Sequence, residues 1–313
     1  MIGLTLKQLR YFDALARHKH FGRAADSCAI TQPALSLQIK ELEALVGAPL
    51  VERATREIRL TALGSDFITR TRKILLSIDE LDELARAAQG PLAGRLRLGV
   101  IPTVAPYLLP AIMTSFAERF ADLDVELRES VTQALIQDLL EARLDLAIVA
   151  LPISEPALQE FALFEEDFVL VRPPQDAGKP VPSPEMLQEM RLLLLEEGHC
   201  FRDQALSFCK SVDAHPRQMM EGSSLSTLVQ MVGAGIGVTL IPEMALSLET
   251  RSADVAVARF PKPGPSRTIG MVWRKTNPLS DQLMQIGAIV RGVGQKARDT
   301  HPLPPASGAK SMP

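Results

Sequence analysis

The sequence predicts an α+β chain in two parts, a winged helix-turn-helix with a long linker helix and then an α/β region. Three observations predict it. Three short amphipathic helices and an arginine-rich alternating segment fill the first 64 residues, a continuous helical pattern follows, and strands then alternate with helices from residue 95 onward.

Length, composition and charge agree with this division. A chain of 313 residues suits about two domains, and 46% hydrophobic with 23% charged residues excludes a largely disordered protein. There is no signal-peptide pattern and no long uncharged apolar run, so we expect a cytoplasmic protein with no membrane partner. Nine basic and six acidic residues give the first 60 positions a charge of +3, against −6 for the remainder, which weakly favours a DNA-binding front end.

The first helices have recognisable ends. In the third helix Thr31 suits the N-cap, Pro33 lies in the first turn where a missing N–H is harmless, and Gly47 suits the C-terminal stop. A wing is predicted from the alternation and three arginines of 51–64. The three helices are predicted at 5–18, 21–29 and 31–47.

This order of elements predicts that the third helix enters the DNA major groove while the wing meets the flanking backbone. Amide and hydroxyl side chains of the third helix suit base edges, and the wing arginines, Arg59 included, suit phosphates or a minor groove. The alternative is a small helical domain with a solvated polar face. The candidate DNA-binding residues are Gln32, Pro33, Ser36, Gln38, Arg53 and Arg56.

Residues 6–53 resemble the amino-terminal DNA-binding module of the LysR-type transcriptional regulators, with the elements AA, TQPALS and I-x-x-L-E in place. The resemblance implies a transcriptional regulator rather than an enzyme, with double-stranded promoter DNA as partner. It also implies self-association as a dimer of dimers, and it makes RNA polymerase a further candidate partner.

A linker helix is predicted from 62 to 89, before Gly90 and Pro91. Apolar residues spaced alternately by four and three form a seam of about three heptads, which suits pairing of two copies. The alternative is that the stripe packs on its own domain. The stripe consists of Phe67, Thr71, Ile74, Ile78, Leu81, Ala85 and Ala88.

The α/β region resembles the bilobed effector domain of the same family, whose fold is shared with periplasmic solute-binding proteins. Its strands are predicted at 95–102, 124–131, 145–151, 168–173, 191–197, 217–221, 237–242 and 266–274, with a last helix near 279–297. The domain boundaries expected are 1–61 for the winged helix-turn-helix, 62–90 for the linker helix, 91–298 for the effector domain (lobe I 91–164 and 267–298, lobe II 165–266) and 299–313 for a disordered tail.

Two of the three cysteines, Cys200 and Cys209, lie nine residues apart on a predicted helix. Nine helical residues advance the chain by about 13.5 Å, whereas a disulfide needs Cα atoms within about 4.4–6.8 Å. Joining these cysteines must therefore unwind the helix. Cys200 stands at the helix start, where free N–H groups stabilise a thiolate and His199 and Arg202 are near, so we expect it to react first and Cys209 to resolve it. The alternative is that both are small buried hydrophobes.

The segment EEGHCFRDQALSFC resembles the sensing segment of peroxide-responsive members of the LysR family over fourteen positions. The resemblance implies hydrogen peroxide as signal and a glutaredoxin or thioredoxin system as reductant. It further implies that hydroxyls of Thr103 and Thr132 hold the peroxide oxygens, that Arg267 or His199 stabilises the departing hydroxide, and that Asp203 orients one of these groups. For either threonine alone, helix capping is the alternative.

No cofactor or metal is expected. His18 and His20 form no zinc set with Cys28, which we interpret as a buried core thiol. Two other functions stay open. One is a regulator that binds a small metabolite between the lobes through Thr103, Thr132, Ser223 and Ser224; the other, less favoured, is a thiol peroxidase, which would leave the first ninety residues unexplained.

Overall fold

The computed structural model describes residues 3–53, 58–87, 93–209 and 218–299. The chain divides into two compact units, Met1–Ala85 and Arg86–Pro313. The predicted boundaries between wing, linker and effector domain stay predictions, and the predicted disordered tail lies outside the described residues except for its first residue. Among the described helices, none is both long enough and apolar enough to cross a membrane.

The first unit has the predicted order of three helices, a two-stranded ribbon and a long helix. A capping box between Thr5 and Gln8 starts the first helix, and Thr31 and Gly47 cap the third as expected. The second helix ends two residues earlier than predicted, because Cys28 is its C-cap and Ala29 takes a positive φ of 53°. The elements are α1 Leu6–His18, α2 Phe21–Ser27, α3 Gln32–Val46, β1 Val51–Arg53, β2 Ile58–Leu60 and α4 Ala62–Ala87.

The core of this unit lies between α1, α2, α3 and the start of α4. The α3 side chains Leu35, Ile39 and Leu42 recur at intervals of four and three and are fully buried. Leu37 lies on the opposite face of the same helix and is 56% exposed, whereas Leu35 is 0% exposed. The apolar side of α3 therefore fixes which polar residues it presents to solvent.

The second unit is built on one nine-stranded sheet, in the order β4-β3-β5-β11-β6-β9-β7-β8 with β10 also paired to β6. β3 runs parallel to β4 and β5, and β7 runs parallel to β8 and β9. The elements are β3 Gly94–Val100, α5 Ala105–Arg119, β4 Leu123–Glu129, α6 Thr132–Leu140, β5 Leu146–Leu151, β6 Leu158–Arg172, α7 Pro184–Glu189, β7 Arg191–Leu195, α8 Cys200–Cys209, β8 Gln218–Gly222, α9 Leu225–Gly233, β9 Val238–Pro242, α10 Leu246–Glu249, β10 Ala256–Arg259, β11 Ser266–Arg274 and α11 Ser280–Asp299.

One predicted strand is wrong in its extent. β6 begins at Leu158 rather than at 168, and its first ten residues pair antiparallel with β11 while its last five pair with β9 and β10. β6 therefore belongs to both halves of the sheet. β6 contributes to two separate hydrophobic cores. Its residues up to Phe164 belong to the first core, together with residues of β11 and α11, and its residues from Phe168 onward belong to the second core.

Replacing Leu35 by Ala should destabilise the first unit by about 2–5 kcal/mol, because it removes a fully buried side chain and leaves a cavity. Leu37→Ala, two residues away on the exposed face, should change stability by no more than about 0.5 kcal/mol. Hydrogen exchange of the α1–α3 amides during urea titration measures both. Equal effects of the two substitutions would contradict the described packing.

Candidate redox site

The helix α8 begins at Cys200, where the two cores of the second unit meet. The half-buried Cys200 side chain packs against the first core, whereas Phe201 and Ala205 are buried in the second. The chain reaches this point through Gly198, whose φ of +94° turns the backbone between β7 and the helix. The structure therefore places Cys200 at a helix start, as predicted.

Cys200 and Cys209 are the first and last residues of α8. Ten residues of continuous helix keep their Cα atoms about 13.5 Å apart by helical geometry. The side chain of Cys209 lies outside the described side chains, and Cys28 and Cys200 are free thiols. This form of the chain has the helical arrangement that a disulfide between the two positions must disrupt.

A small pocket opens beside Cys200. Besides Cys200 it is lined by three other predicted site residues, Thr103, Thr132 and His199. The two threonines meet because β3 and β4 are parallel neighbours whose following turns lie at one edge of the sheet, and His199 comes from the turn between β7 and α8. The lining residues are Ile101, Pro102, Thr103, Val131, Thr132, His199, Cys200 and Phe201.

The Thr132 hydroxyl is buried and has no hydrogen-bond partner among the residues that the structure describes. Val131 is the N-cap of α6 and Thr132 is its first residue, so the capping role considered for Thr132 is wrong. A buried hydroxyl without a partner costs about 1–3 kcal/mol. This oxygen has an unused hydrogen-bonding capacity that a small polar ligand would satisfy, but the space beside it is too small to admit a water molecule in this form of the chain.

Arg267 lies behind the pocket rather than in its lining, with its side chain fully buried. Its Nη1 donates to Thr103 Oγ1 at 2.8 Å and its Nη2 to the Thr103 carbonyl at 3.0 Å. Its Nε donates to Glu166 Oε2 at 2.8 Å. Arg267 therefore reaches the pocket through Thr103, and its direct role in stabilising a departing hydroxide stays a prediction.

Sequence reasoning missed Glu166. This carboxylate is buried and also accepts a hydrogen bond of 2.9 Å from the backbone N–H of Met244. Burial raises the pKa of Glu166, and the Arg267 guanidinium opposes that rise. The sequence did contain a signal for it. Glu166 lies two residues from both Phe164 and Phe168, so the alternation of a strand places its side chain on the same buried face as the two rings.

Two charged neighbours of Cys200 point elsewhere. Asp203 is exposed and is not among the pocket-lining residues, and its predicted orienting role stays a prediction. Arg202 is buried and donates to the Leu195 carbonyl at 3.2 Å and to the Glu221 carboxylate. Arg202 therefore fastens the first turn of α8 to β7 and β8.

His199 is half-buried at the pocket edge. Burial lowers the pKa of its imidazole, and the nearby Glu196 charge opposes this shift. The imidazole is therefore neutral at pH 7, with one nitrogen able to accept a proton and the other able to donate a hydrogen bond.

A larger cavity of about 380 Å³ adjoins this pocket between the two halves of the sheet. It is lined by Thr103, His199, Ser223 and Ser224 among others, but Thr132 is absent from its lining. Tyr107 donates to Glu249 at its edge at 2.6 Å, and Ser226 donates to the same carboxylate. Burial and this carboxylate raise the pKa of Tyr107. The space suits the metabolite alternative, with three of its four predicted ligands present.

The candidate DNA-binding residues of α3 are accessible to different degrees. Gln32 and Pro33 are exposed, whereas Ser36 and Gln38 are half-buried. Gln38 Nε2 donates to Glu41 at 2.7 Å. The Arg53 side chain and all of Arg56 lie outside the described residues, and Arg59 is exposed on β2.

The predicted stripe of α4 has two parts. Its first residues pack against the core formed by α1, α2 and α3, since the Phe67 ring lies 5.7 Å from that of Phe12 and Thr71 is buried. Farther along, Ile74 and Leu81 are exposed apolar side chains. The first part of the stripe therefore packs on its own domain, and pairing of two copies through the second part stays a prediction.

Cys28 is half-buried beside the helical core of the first unit, and its Sγ lies 3.9 Å from the Ser27 hydroxyl oxygen. Within the described ranges, no three His, Cys, Asp or Glu residues converge in a way that suits a metal ion.

Two family models match the chain. One described as "Bacterial regulatory helix-turn-helix protein, lysR family" matches residues 6–65, and one described as "LysR substrate binding domain" matches residues 89–293. These matches agree with the predicted fold class, which is confirmed.

Curated relatives align over nearly the whole chain. A "Probable hydrogen peroxide-inducible genes activator" of Streptomyces viridosporus is 41% identical over 291 residues, covering 92% of this chain and 93% of the relative. The "DNA-binding transcriptional dual regulator OxyR" of Escherichia coli strain K12 is 38% identical, covering 92% of this chain and 95% of the relative.

Solved structures are similar over the same extent. A full-length OxyR of Pseudomonas aeruginosa with a cysteine-to-aspartate substitution is 34% identical with a TM-score of 0.72, covering 92% of this chain and 95% of that one. A cysteine-to-serine variant of Corynebacterium glutamicum OxyR with hydrogen peroxide bound is 33% identical with a TM-score of 0.66, covering 97% of this chain and 98% of that one.

Thr132→Val should raise the free energy of unfolding of the second unit by about 1 kcal/mol, because it replaces an unpartnered buried hydroxyl with a methyl group. Thr103→Val, the matched control, should lower it, because Arg267 Nη1 then loses its acceptor. Urea unfolding measures both. Destabilisation by Thr132→Val of the same size as by Thr103→Val would contradict the described hydrogen bonding.

The burial of His199 should make stability depend on pH. Its pKa is lowered in the folded chain, so the unfolded chain binds more protons and stability falls as the pH drops below about 6.5. Between pH 7.5 and 5.5 the wild type should therefore lose more unfolding free energy than His199→Gln, which cannot be protonated. Parallel pH profiles in urea unfolding would exclude this contribution.

Proposed function

Because the chain belongs to the LysR family of bacterial helix-turn-helix regulators, we propose that it senses hydrogen peroxide through Cys200 and Cys209 and passes the signal to DNA. The relatives named as peroxide-inducible activators and OxyR support a peroxide-sensing transcriptional regulator over nine-tenths of the chain. Assignment of the sensing step to particular residues is our proposal.

One observation carries the proposal. Cys200 is the first residue of α8 and lines a small pocket in which the buried Thr132 hydroxyl has no partner within the described part of the chain. Thr103 and His199 complete the polar lining. A molecule with two adjacent oxygens, each able to donate and accept, matches these groups in chemistry.

The first step oxidises the sulfur. The Cys200 thiolate attacks one peroxide oxygen, so that an S–O bond forms and the O–O bond breaks. The second oxygen leaves as hydroxide and takes up a proton to become water, while the sulfur becomes a sulfenic acid. The neutral His199 imidazole suits transfer of the proton from the thiol to the leaving oxygen.

The second step joins the two cysteines. The Cys209 sulfur attacks the Cys200 sulfenic acid, a disulfide forms, and the sulfenic oxygen leaves as water with the remaining thiol proton. Since α8 holds the two positions about 13.5 Å apart, the helix unwinds when they join. A glutaredoxin or thioredoxin dithiol reverses the step, becoming a disulfide itself while it restores two thiols.

Unwinding of α8 changes the surface of the second unit, and this change is the signal. The helix-turn-helix binds double-stranded promoter DNA, with Gln32, Pro33, Ser36 and Gln38 on the recognition helix and Arg53 and Arg56 at the wing. Self-association as a dimer of dimers would let the signal alter the spacing of DNA contacts, with Ile74 and Leu81 of α4 as pairing residues. RNA polymerase is a further proposed partner, and the cytoplasm the proposed site of action.

The chain's role is regulation rather than turnover of peroxide. The helix-turn-helix of residues 6–65 is unexplained by a thiol peroxidase. We retain the predicted division into a winged helix-turn-helix at 1–61, a linker at 62–90 and a bilobed effector domain at 91–298. The cavity of about 380 Å³ keeps a metabolite-responsive regulator as the second candidate.

Cys200→Ser should abolish the peroxide-dependent change in the DNase footprint on promoter DNA, because no sulfenic acid forms. In Cys209→Ser the sulfenic acid should form on residue 200 and persist, since no resolving thiol is present. Cys28→Ser is the matched control and should respond as the wild type. Peptide mass measurement before and after stoichiometric peroxide reads the linkage, and a normal footprint response in Cys200→Ser would refute the mechanism.

A further inference from the structure

We propose that Glu166 is a positioning residue for the reaction at Cys200, because it holds Arg267 in the orientation that makes Thr103 donate its hydroxyl hydrogen into the pocket. The inference rests on the proposed function. It concerns a residue that does not line the pocket and that acts through two others.

The contacts form a chain of three buried groups. Glu166 on β6 pairs with Arg267 on β11, with Nε and Nη2 both 2.8 Å from Oε2. Nη1 and Nη2 of the same guanidinium bond to the Thr103 hydroxyl and carbonyl at 2.8 and 3.0 Å. The side chains of Glu166 and Arg267 are 2% and 0% exposed, so water does not compete for these bonds.

The direction of the Thr103 hydroxyl follows from this arrangement. A guanidinium only donates hydrogen bonds, whereas a hydroxyl accepts through its lone pairs and donates one hydrogen. Since Arg267 donates to Thr103 Oγ1, the hydroxyl hydrogen of Thr103 must point away from Arg267. Thr103 lines the pocket beside Cys200 and Arg267 does not. A hydroxyl hydrogen that points away from Arg267 can therefore be donated to a peroxide oxygen in that pocket.

A donor held in this way assists the chemistry. As the O–O bond breaks, negative charge develops on the leaving oxygen, and a fixed donor polarised by a buried cation stabilises that charge. The guanidinium has further support from the Phe201 ring, whose centroid lies 5.5 Å from Arg267 Cζ. Glu166 is itself fixed by the Met244 N–H at 2.9 Å. Its carboxylate is thus the group that sets the plane of the guanidinium.

The test compares two reactions of Cys200 in a Cys209→Ser background. Glu166→Gln should lower the second-order rate with hydrogen peroxide by about tenfold or more, since loss of one preorganised donor in a buried site has effects of this order. Alkylation by iodoacetamide should change by less than about twofold, because its halide leaving group does not require that donor. Trapping of the sulfenic acid with dimedone and peptide mass spectrometry measure the two rates.

Glu165→Gln is the matched control, with the same charge change on an exposed position of the same strand. Arg267→Lys provides a second variant, since a lysine ammonium cannot bridge Glu166 and Thr103 as the planar guanidinium does. It should show the same selective loss. In Thr103→Val, further replacement of Glu166 by Gln should lower the peroxide rate by less than about twofold, because the shared hydroxyl is already gone.

Several results would overturn the proposal. One is a peroxide rate in Glu166→Gln or Arg267→Lys equal to that in Glu165→Gln. Another is an equal fall of the peroxide and iodoacetamide rates, which would mean a general loss of structure at Cys200. If Cys200 did not react with peroxide in the Cys209→Ser chain without any further substitution, the proposed function itself would be refuted. The two failures are therefore distinguishable.

Discussion

The length of a helix is the constraint on which the redox site depends. Nine residues of α8 separate the two cysteines by about 13.5 Å, and a disulfide tolerates about half that distance between Cα atoms. The helix must therefore be stable enough to exist in the thiol form and weak enough to open. Its first turn is held by the burial of Phe201 and by the Arg202 bonds to Leu195 and Glu221. Under the proposed mechanism, these contacts resist the unwinding of α8 that transmits the signal.

The two threonines of the pocket differ in whether their hydroxyl groups favour folding stability or ligand binding. Thr103 has its hydroxyl fixed by Arg267, whereas Thr132 keeps a buried hydroxyl with no partner in the described structure. The second arrangement is unfavourable for folding, and it is what a ligand site needs before the ligand arrives. Because both side chains follow neighbouring parallel strands, the sheet places them at the same pocket.

Local features were predictable and long-range ones were not. The caps Thr31 and Gly47, the bounds of β11 and the helix start at Cys200 follow from turn chemistry and periodicity in short windows. The strand β6 was misplaced because Glu160, Glu165 and Glu166 weaken the apolar signal of its first half. Arg267 was found as a site residue through family resemblance, but its partner Glu166 lies 101 positions away and no local rule connects them. Asp203 is close to Cys200 in sequence but is not among the residues that line the pocket.

The burial of Phe201 has an electrochemical consequence. Under the proposed mechanism, a side chain that loses its packing when α8 opens stabilises the dithiol form alone, so its burial energy becomes part of the midpoint potential. Full burial of a phenylalanine contributes about 1.5–3 kcal/mol, and about 1.4 kcal/mol corresponds to about 30 mV for a two-electron couple. Under that mechanism, complete loss of this burial on oxidation would make the couple more oxidising by about 30–60 mV. The oxidant level at which the proposed switch responds would then depend on hydrocarbon packing as well as on the chemistry of the two thiols.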